Sequence, residues 1–135
     1  MEPQNTEQPG IKTMLADYME NGFLDNIIDM FKHDTTLYAY VGDLLTDERM
    51  RVRIGASALI EALREEDSDN VLRSIPYILT VLRSENPVYR GDAAYLLGMI
   101  GGPDTVLFLK ELTDDEDPDV RIIAQEAIEE IGSHS

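Results

Sequence analysis

Cysteine is absent from the sequence, and so is tryptophan. Without cysteine the chain can form no disulfide, no thiolate zinc site and no cysteine nucleophile. A chain without disulfides is typical of a reducing compartment, so we expect a cytoplasmic protein. Its 135 residues are enough for one domain with a buried core.

Long apolar runs are absent as well. No stretch approaches the ~18 apolar residues that a membrane-spanning helix requires, so we expect no membrane partner. The opening residues, MEPQNTEQPG (1–10), have neither the basic start nor the apolar run of a secretory signal. Their Gln, Pro, Asn and Glu content predicts a flexible N-terminal tail.

Basic residues are scarce: 11 Lys and Arg stand against 27 Asp and Glu, which gives a net charge of −16. Binding to nucleic acid requires clustered basic side chains that contact phosphates, so this charge excludes a nucleic-acid partner. An acidic surface attracts basic protein surfaces instead. A solvated acidic face that only keeps the protein soluble is the simpler interpretation of the charge.

Side chains that carry chemistry are few. The sequence has two histidines, His33 near the end of a predicted helix and His134 near the C-terminus. A zinc site needs three or four ligands, and no such cluster is present. GMIGG (98–102) has neither the lysine nor the spacing of a phosphate-binding loop. We therefore predict no catalytic residue, no metal site and no cofactor.

Apolar residues recur at helical spacing along most of the chain, and no segment alternates with period two as a strand would. Three segments carry the same stripe: 48–63, 85–100 and 116–131. The positions that coincide when they are aligned are Glu48, Glu85 and Glu116; Met50, Pro87 and Pro118; Arg53, Arg90 and Arg121; and Ala56, Ala93 and Ala124. The sequence therefore predicts an all-α protein with an internal repeat.

Each of these segments follows another apolar helix, so the repeating unit is a first helix, an acidic turn and a second helix. The predicted repeats are residues 35–66, 68–101 and 103–132. Residues 11–34 lack the repeat pattern and are predicted to form an atypical helix pair that covers the end of the stack. Residues 133–135 are predicted to be a tail. The fold class is an α-solenoid of stacked antiparallel helix hairpins, with about eight helices.

The second-helix pattern resembles that of HEAT-like repeats in their short bacterial and archaeal form, which is also found in bilin lyases of the phycobilisome type. That family's second helix reads Asp-Pro-x-Val-Arg-x-x-Ala and continues as an apolar stripe. DPDVRIIAQEAI (117–128) matches it closely, and NPVYRGDAAYLL (86–97) has Asn for Asp and Tyr for Val. RMRVRIGASALI (49–60) keeps Val-Arg-x-x-Ala without Asp-Pro.

The resemblance covers residues 35–132 and implies a solenoid whose second helices line a concave surface. Members of the family include scaffolds, assembly factors, bilin lyases, a di-iron hydroxylase and DNA glycosylases. The hydroxylases use repeated His-Glu pairs, which this sequence does not contain. The glycosylases use a basic cleft, which the acidic charge contradicts.

Two residue types mark the repeats structurally. Pro87 and Pro118 fall where second helices should begin, a position at which proline loses no helical hydrogen bond. Arg53, Arg90 and Arg121 are expected to donate to carboxylates or carbonyls of the adjacent turn, because a guanidinium presents its donors as a planar fork. These bonds would tie successive units together.

The acidic start of DDEDPDVRIIAQEAIEEIG (114–132) admits a second interpretation as a calcium loop. The side chains with the spacing of an EF-hand are Asp115, Asp117, Asp119 and Glu126. The sixth position of such a loop requires glycine, and here it is Val120. A helix that begins beside Pro118 cannot bring Glu126 back to the ion, so we predict a repeat turn and no calcium site.

Side chains of the second helices that are not assigned to the core should face outward and meet a partner. Tyr and Met are enriched at the centres of interfaces, and the middle repeat supplies both. The predicted partner-binding residues are Arg51, Val88, Asp92, Tyr95, Met99 and Glu126. An alternative that the sequence leaves open is that Tyr95 and Met99 pack against neighbouring repeats.

These features predict a non-enzymatic protein–protein interaction module, a scaffold or assembly factor, whose concave face binds another protein with a basic surface. The alternative is a lyase-like or accessory enzyme subunit that acts on a cofactor-bearing protein, which would need a deep pocket with convergent polar groups. The acidic C-terminal helix disfavours open stacking of copies, so we expect a monomer, with a dimer left open.

Overall fold

The computed structural model describes residues 10–134, which form eight α-helices, two 3₁₀-helices and no strand. The α-helices are α1 (Gly10–Glu20), α2 (Leu24–His33), α3 (Val41–Leu45), α4 (Met50–Glu66), α5 (Ile75–Val81), α6 (Pro87–Ile100), α7 (Pro103–Leu112) and α8 (Pro118–His134). The predicted all-α solenoid is confirmed. The predicted N-terminal tail lies outside the described residues except for Gly10, which begins α1.

The helices pack as consecutive hairpins. Helix α3 packs against α4, α5 against α6, and α7 against α8. A 3₁₀-helix precedes both α3 and α5, over Thr35–Tyr40 and Val71–Ser74 respectively. Helix α8 continues through His134, so it includes two residues that the sequence analysis assigned to a tail.

The N-terminal helices α1 and α2 both contact α4. Gly22 joins them with a φ of 86°, a left-handed conformation that glycine adopts without strain. Helix α1 approaches α4 at Gly55, where a Cβ atom would overlap the Met19 side chain. The pair therefore covers one side of the first hairpin.

The stripes predicted from the sequence form the core. In α4 and α8 every member of the stripe is buried: Val52, Ala56, Leu59, Leu63, Val120, Ala124, Ala127 and Ile131. In α6 the stripe begins at Tyr89, which is only half-buried. The Arg53 guanidinium of the preceding unit lies 5.2 Å from the centre of the Tyr89 ring.

Helix starts follow the local sequence. Pro87, Pro103 and Pro118 are the first residues of their helices, where proline removes no intrahelical bond. Pro76 is the second residue of α5, so the helical pattern that precedes it forms a separate 3₁₀-helix. The Asn86 side chain accepts a hydrogen bond from the Val88 N–H at 2.9 Å and caps α6.

Helices α6 and α8 lie in close contact along their length, whereas α4 and α6 share a much shorter contact. The close approach depends on glycine: a Cβ atom at Gly98 would lie 2.8 Å from the Cα atom of Ala127. Two helical turns earlier, a Cβ atom at Gly91 would lie 3.1 Å from the Ile123 Cδ1 atom. This difference in spacing shapes the surface that the second helices present.

Across the part of the chain that the structure covers, no helix combines the length and the apolar character needed to cross a bilayer.

Candidate partner-binding groove

The three repeated arginines make the same bonds in each unit. Each donates through Nη1 to two backbone carbonyl oxygens of the turn that precedes its own helix. The pairs are Arg53 to Asp47 (2.8 Å) and Glu48 (3.0 Å), Arg90 to Ser84 (2.9 Å) and Glu85 (3.2 Å), and Arg121 to Asp115 (2.7 Å) and Glu116 (3.4 Å). These bonds close a turn within one unit rather than joining two units.

Arg90 and Arg53 contact the following unit in different ways. The Arg90 guanidinium forms a bidentate pair with Asp115 of the next unit, at 2.9 Å from Nε and 2.8 Å from Nη2. Arg53 stacks on Tyr89 instead. The expectation that these arginines tie successive units through their turn bonds is therefore corrected: the ties run through Asp115 and Tyr89.

The Arg90–Asp115 pair is shielded from water, with side-chain exposures of 9% and 8%. The guanidinium holds the pKa of the Asp115 carboxyl below its usual range, and Asp115 in turn raises the pKa of Arg90. Each shift has the hydrogen bonds of the pair as its main cause.

The acidic residues of the third turn have structural partners. Asp115 accepts from Arg90 and from the Asp117 N–H. Asp117 caps α8 by accepting from the N–H groups of Asp119 (2.9 Å) and Val120 (3.2 Å). This is the arrangement of a repeat turn that leads into a helix, as the sequence analysis predicts.

An open groove of about 520 Å³ crosses the second helices of the three units. Its lining residues come from α4 (Glu61, Arg64), α6 (Gly91, Asp92, Tyr95, Gly98, Met99) and α8 (Ile123, Glu126, Ala127, Glu130). Four carboxylates and one guanidinium line it, so its walls are acidic. Its floor consists of apolar and small side chains.

Four of the six predicted partner-binding residues line this groove: Asp92, Tyr95, Met99 and Glu126. Val88 is exposed and lines a smaller adjoining hollow of about 220 Å³, which shares Gly91, Asp92 and Ile123 with the groove. Arg51 is exposed on α4 and does not line the groove.

Tyr95 and Met99 differ in exposure. Tyr95 is 50% exposed, whereas Met99 is 8% exposed. The expectation that Met99 faces outward is thus corrected: it lines the groove with most of its surface buried. The alternative that Met99 packs between repeats describes it better.

The Tyr95 side chain spans the gap between two second helices. Its hydroxyl donates to Glu61 Oε2 at 3.2 Å, across from α6 to α4. Burial, followed by the Glu61 charge, raises the pKa of the Tyr95 phenol, so the phenol stays neutral and donating.

Asp92 is half-buried one helical turn before Tyr95. Its carboxylate accepts no hydrogen bond and forms no ion pair with any residue from 10 to 134. Burial raises the pKa of the Asp92 carboxyl, and the charge of Arg53 opposes that effect without contact. Burial thus favours the neutral acid, and a cation that enters the groove would favour the ionised carboxylate instead.

Sequence reasoning missed Glu61, Arg64 and Glu130 as parts of the groove. One signal was available for the helix contact beneath it, because Gly91 and Gly98 lie two turns apart on one face of a predicted helix. Small residues at that spacing indicate that another helix approaches closely. Nothing in the sequence indicates that Tyr95 reaches Glu61.

Within residues 10–134, no three His, Asp or Glu side chains are arranged so that they could hold a metal ion. The groove carboxylates are spread over three helices, and two of them have partners: Glu61 accepts from Tyr95, and Glu130 contacts His134 Nε2 at 3.1 Å.

Comparison with protein families found one similarity, in the C-terminal part of the chain. Residues 75–135 match the family model of HEAT repeats. This part of the chain is similar to HEAT repeats. HEAT repeats generally mediate protein–protein interaction, and proteins built on them are typically non-catalytic scaffolds. No curated protein matches the chain.

Proposed function

We propose that this protein is a non-enzymatic interaction module that binds a basic segment of another protein in the groove of α4, α6 and α8. The observation that carries the proposal is the groove itself, which crosses the second helices of the three units and presents four carboxylates against one guanidinium. In this proposal the chain works in the cytoplasm as a monomer, in keeping with its lack of cysteine.

The composition of the groove supports a protein partner. Tyr95 offers a half-exposed aromatic ring beside the apolar side chain of Ile123, and tyrosine is enriched at the centres of interfaces. The partner's apolar atoms would cover this floor while its basic side chains reach the walls.

The charge of the chain supports a basic partner. A net charge of −16 attracts a basic segment before the two molecules touch. This long-range attraction speeds association at low salt. The groove carboxylates then provide the local complement, and a bound cation would offset the burial that raises the pKa of Asp92.

A capture experiment tests the proposal. The full chain is immobilised, bound proteins from the lysate of the source cells are identified, and the contact is mapped by crosslinking. Capture by the unmodified chain is compared with capture by the double variant Tyr95→Ser/Glu126→Lys, which removes the aromatic ring and reverses a charge in the groove. Loss of central interface contacts should reduce capture of a true groove partner at least about tenfold.

The matched control is Leu107→Ser on α7, which removes a 70% exposed side chain outside the groove and should leave capture unchanged. Thermal unfolding of all variants confirms that each one folds. The proposal is supported if a Lys- or Arg-rich segment of the captured partner crosslinks to the groove. Undiminished capture by the double variant would contradict it.

A further inference from the structure

The end of the groove around Tyr95 has the features of a site for one particular side chain. The Tyr95 ring is half exposed, and its hydroxyl is held by Glu61 on the neighbouring helix. The ring therefore has a fixed position and an open face. A fixed aromatic face attracts a cation that stacks on it.

A carboxylate lies next to this ring. Asp92 precedes Tyr95 by three residues on α6, and side chains at this spacing are neighbours on one helix face, about 5–6 Å apart. Asp92 has no hydrogen-bonding partner among the residues that the structure describes, and it is half-buried. A ligand that stacks on Tyr95 can therefore donate hydrogen bonds to a carboxylate that has acceptor capacity to spare.

Small residues form part of the groove beneath these two side chains. Gly91, Gly98 and Ala127 line the groove there and project at most a methyl group. Glu126 supplies a second carboxylate from the opposite wall on α8. A planar group can enter the open groove beside these small residues, next to Ile123 and Met99.

Building on the proposed function, we propose that the partner inserts an arginine at this position, with its guanidinium stacked on Tyr95 and donating to Asp92. A guanidinium is planar, weakly hydrated and able to present a fork of donors to a carboxylate while its face contacts an aromatic ring. A lysine ammonium is a compact and strongly hydrated charge, which would gain from the carboxylates and little from the ring.

Two peptide probes test the choice between arginine and lysine. Both are Gly/Ser-rich and identical except that one carries spaced arginines and the other lysines at the same positions. Binding to the full chain is followed by chemical shifts and by calorimetry. We expect the arginine peptide to bind about five to ten times more tightly, with shifts centred on Tyr95 and Asp92.

Variants separate stacking from charge. Tyr95→Leu should reduce the arginine-to-lysine affinity ratio to about one while leaving lysine-peptide binding nearly unchanged. Asp92→Asn should weaken the binding of both peptides, and it should weaken the binding of the arginine peptide more than that of the lysine peptide. The matched control is Tyr77→Leu, which removes an exposed tyrosine of α5 outside the groove and should preserve the ratio.

The outcomes distinguish this inference from the proposed function. Equal binding of both peptides in the groove, or an arginine preference that survives Tyr95→Leu, overturns the arginine assignment and leaves the basic-segment proposal standing. If neither peptide shifts groove residues, both proposals are contradicted.

Discussion

Arg90 carries two sets of bonds, whereas Arg53 and Arg121 carry one set of polar bonds each. All three close their own turn through backbone carbonyls, but only Arg90 adds a shielded bidentate pair with Asp115. Removing one partner of a shielded pair leaves the other charge uncompensated, which costs more than the loss of an exposed hydrogen bond. The same residue type at equivalent positions should therefore contribute unequally to stability.

Replacing Arg90 by Met should lower the free energy of unfolding by about 3 kcal/mol, because Asp115 loses its counter-ion. Arg121→Met is the matched variant: it removes the same carbonyl bonds from an exposed side chain and should cost about 1 kcal/mol. Urea unfolding at neutral pH measures both. Equal losses in the two variants would show that the Asp115 pair adds nothing.

Acid pH provides a control for this difference. Since the pKa of Asp115 is lowered in the folded protein, its pairing stabilises the fold above the unfolded-state pKa of about 3.9. That stability is lost as the pH falls through the lower folded-state value. The difference in free energy of unfolding between the Arg90→Met and Arg121→Met variants should therefore disappear over the same pH interval.

At the level of helices, glycine sets the separation between neighbours. Gly91 and Gly98 let α6 lie against α8, and no equivalent pair brings α4 so close to α6. The floor of the groove is the tight α6–α8 contact, and Tyr95 spans the wider interval to α4. The shape of the candidate site thus follows from unequal helix spacing.

Gly98→Ala should destabilise the protein by about 1–2 kcal/mol. The added methyl would lie 2.8 Å from Ala127 Cα and must push α8 away, an overpacking cost that exceeds the gain in helix propensity. Gly132→Ala in α8 is the control, since nothing lies within 4 Å of its added methyl and the helix should gain slightly. Thermal or urea unfolding that ranks the two variants in the reverse order would refute the close-contact explanation.

For the molecule as a whole, the net charge of −16 opposes compaction. The exposed ion pairs, such as Lys32 with Glu66 and Arg49 with Asp17, contribute little at the surface. Repulsion among the remaining carboxylates is screened by salt, with a Debye length of about 10 Å at 0.1 M. Salt should therefore stabilise this fold.

Raising NaCl from about 0.02 to 0.5 M should increase the thermal midpoint by about 2–5 °C, equivalent to roughly 1 kcal/mol for a chain of this size. Tetramethylammonium chloride at equal ionic strength is the control, because screening does not depend on which cation is present. Calorimetry that finds a falling midpoint, or a rise with sodium alone, would argue against general screening.

Several structural features could be predicted because they depend on neighbours in the sequence. The hairpins, the proline helix starts and the Arg bonds to carbonyls five or six residues earlier all follow from local patterns. The two 3₁₀-helices were not predicted, and the sequence left open whether Met99 is exposed or buried, because both depend on how adjacent units fit together. Arg51 was predicted as a partner-binding residue because it was not assigned to the core, and it lies outside the groove for the same reason.

The amino-acid order determined the helical repeat, its acidic charge and the bonds that close each turn, since these interactions join residues a few positions apart. The tertiary structure decided where a ligand could lie. Tyr95 meets Glu61 across 34 positions and Arg90 meets Asp115 across 25, so both contacts depend on the distance between packed helices. That distance is set by the small side-chain volume where glycines contact a neighbouring helix. The sequence pattern indicates which helix face is in contact, but it does not give the distance between the helices.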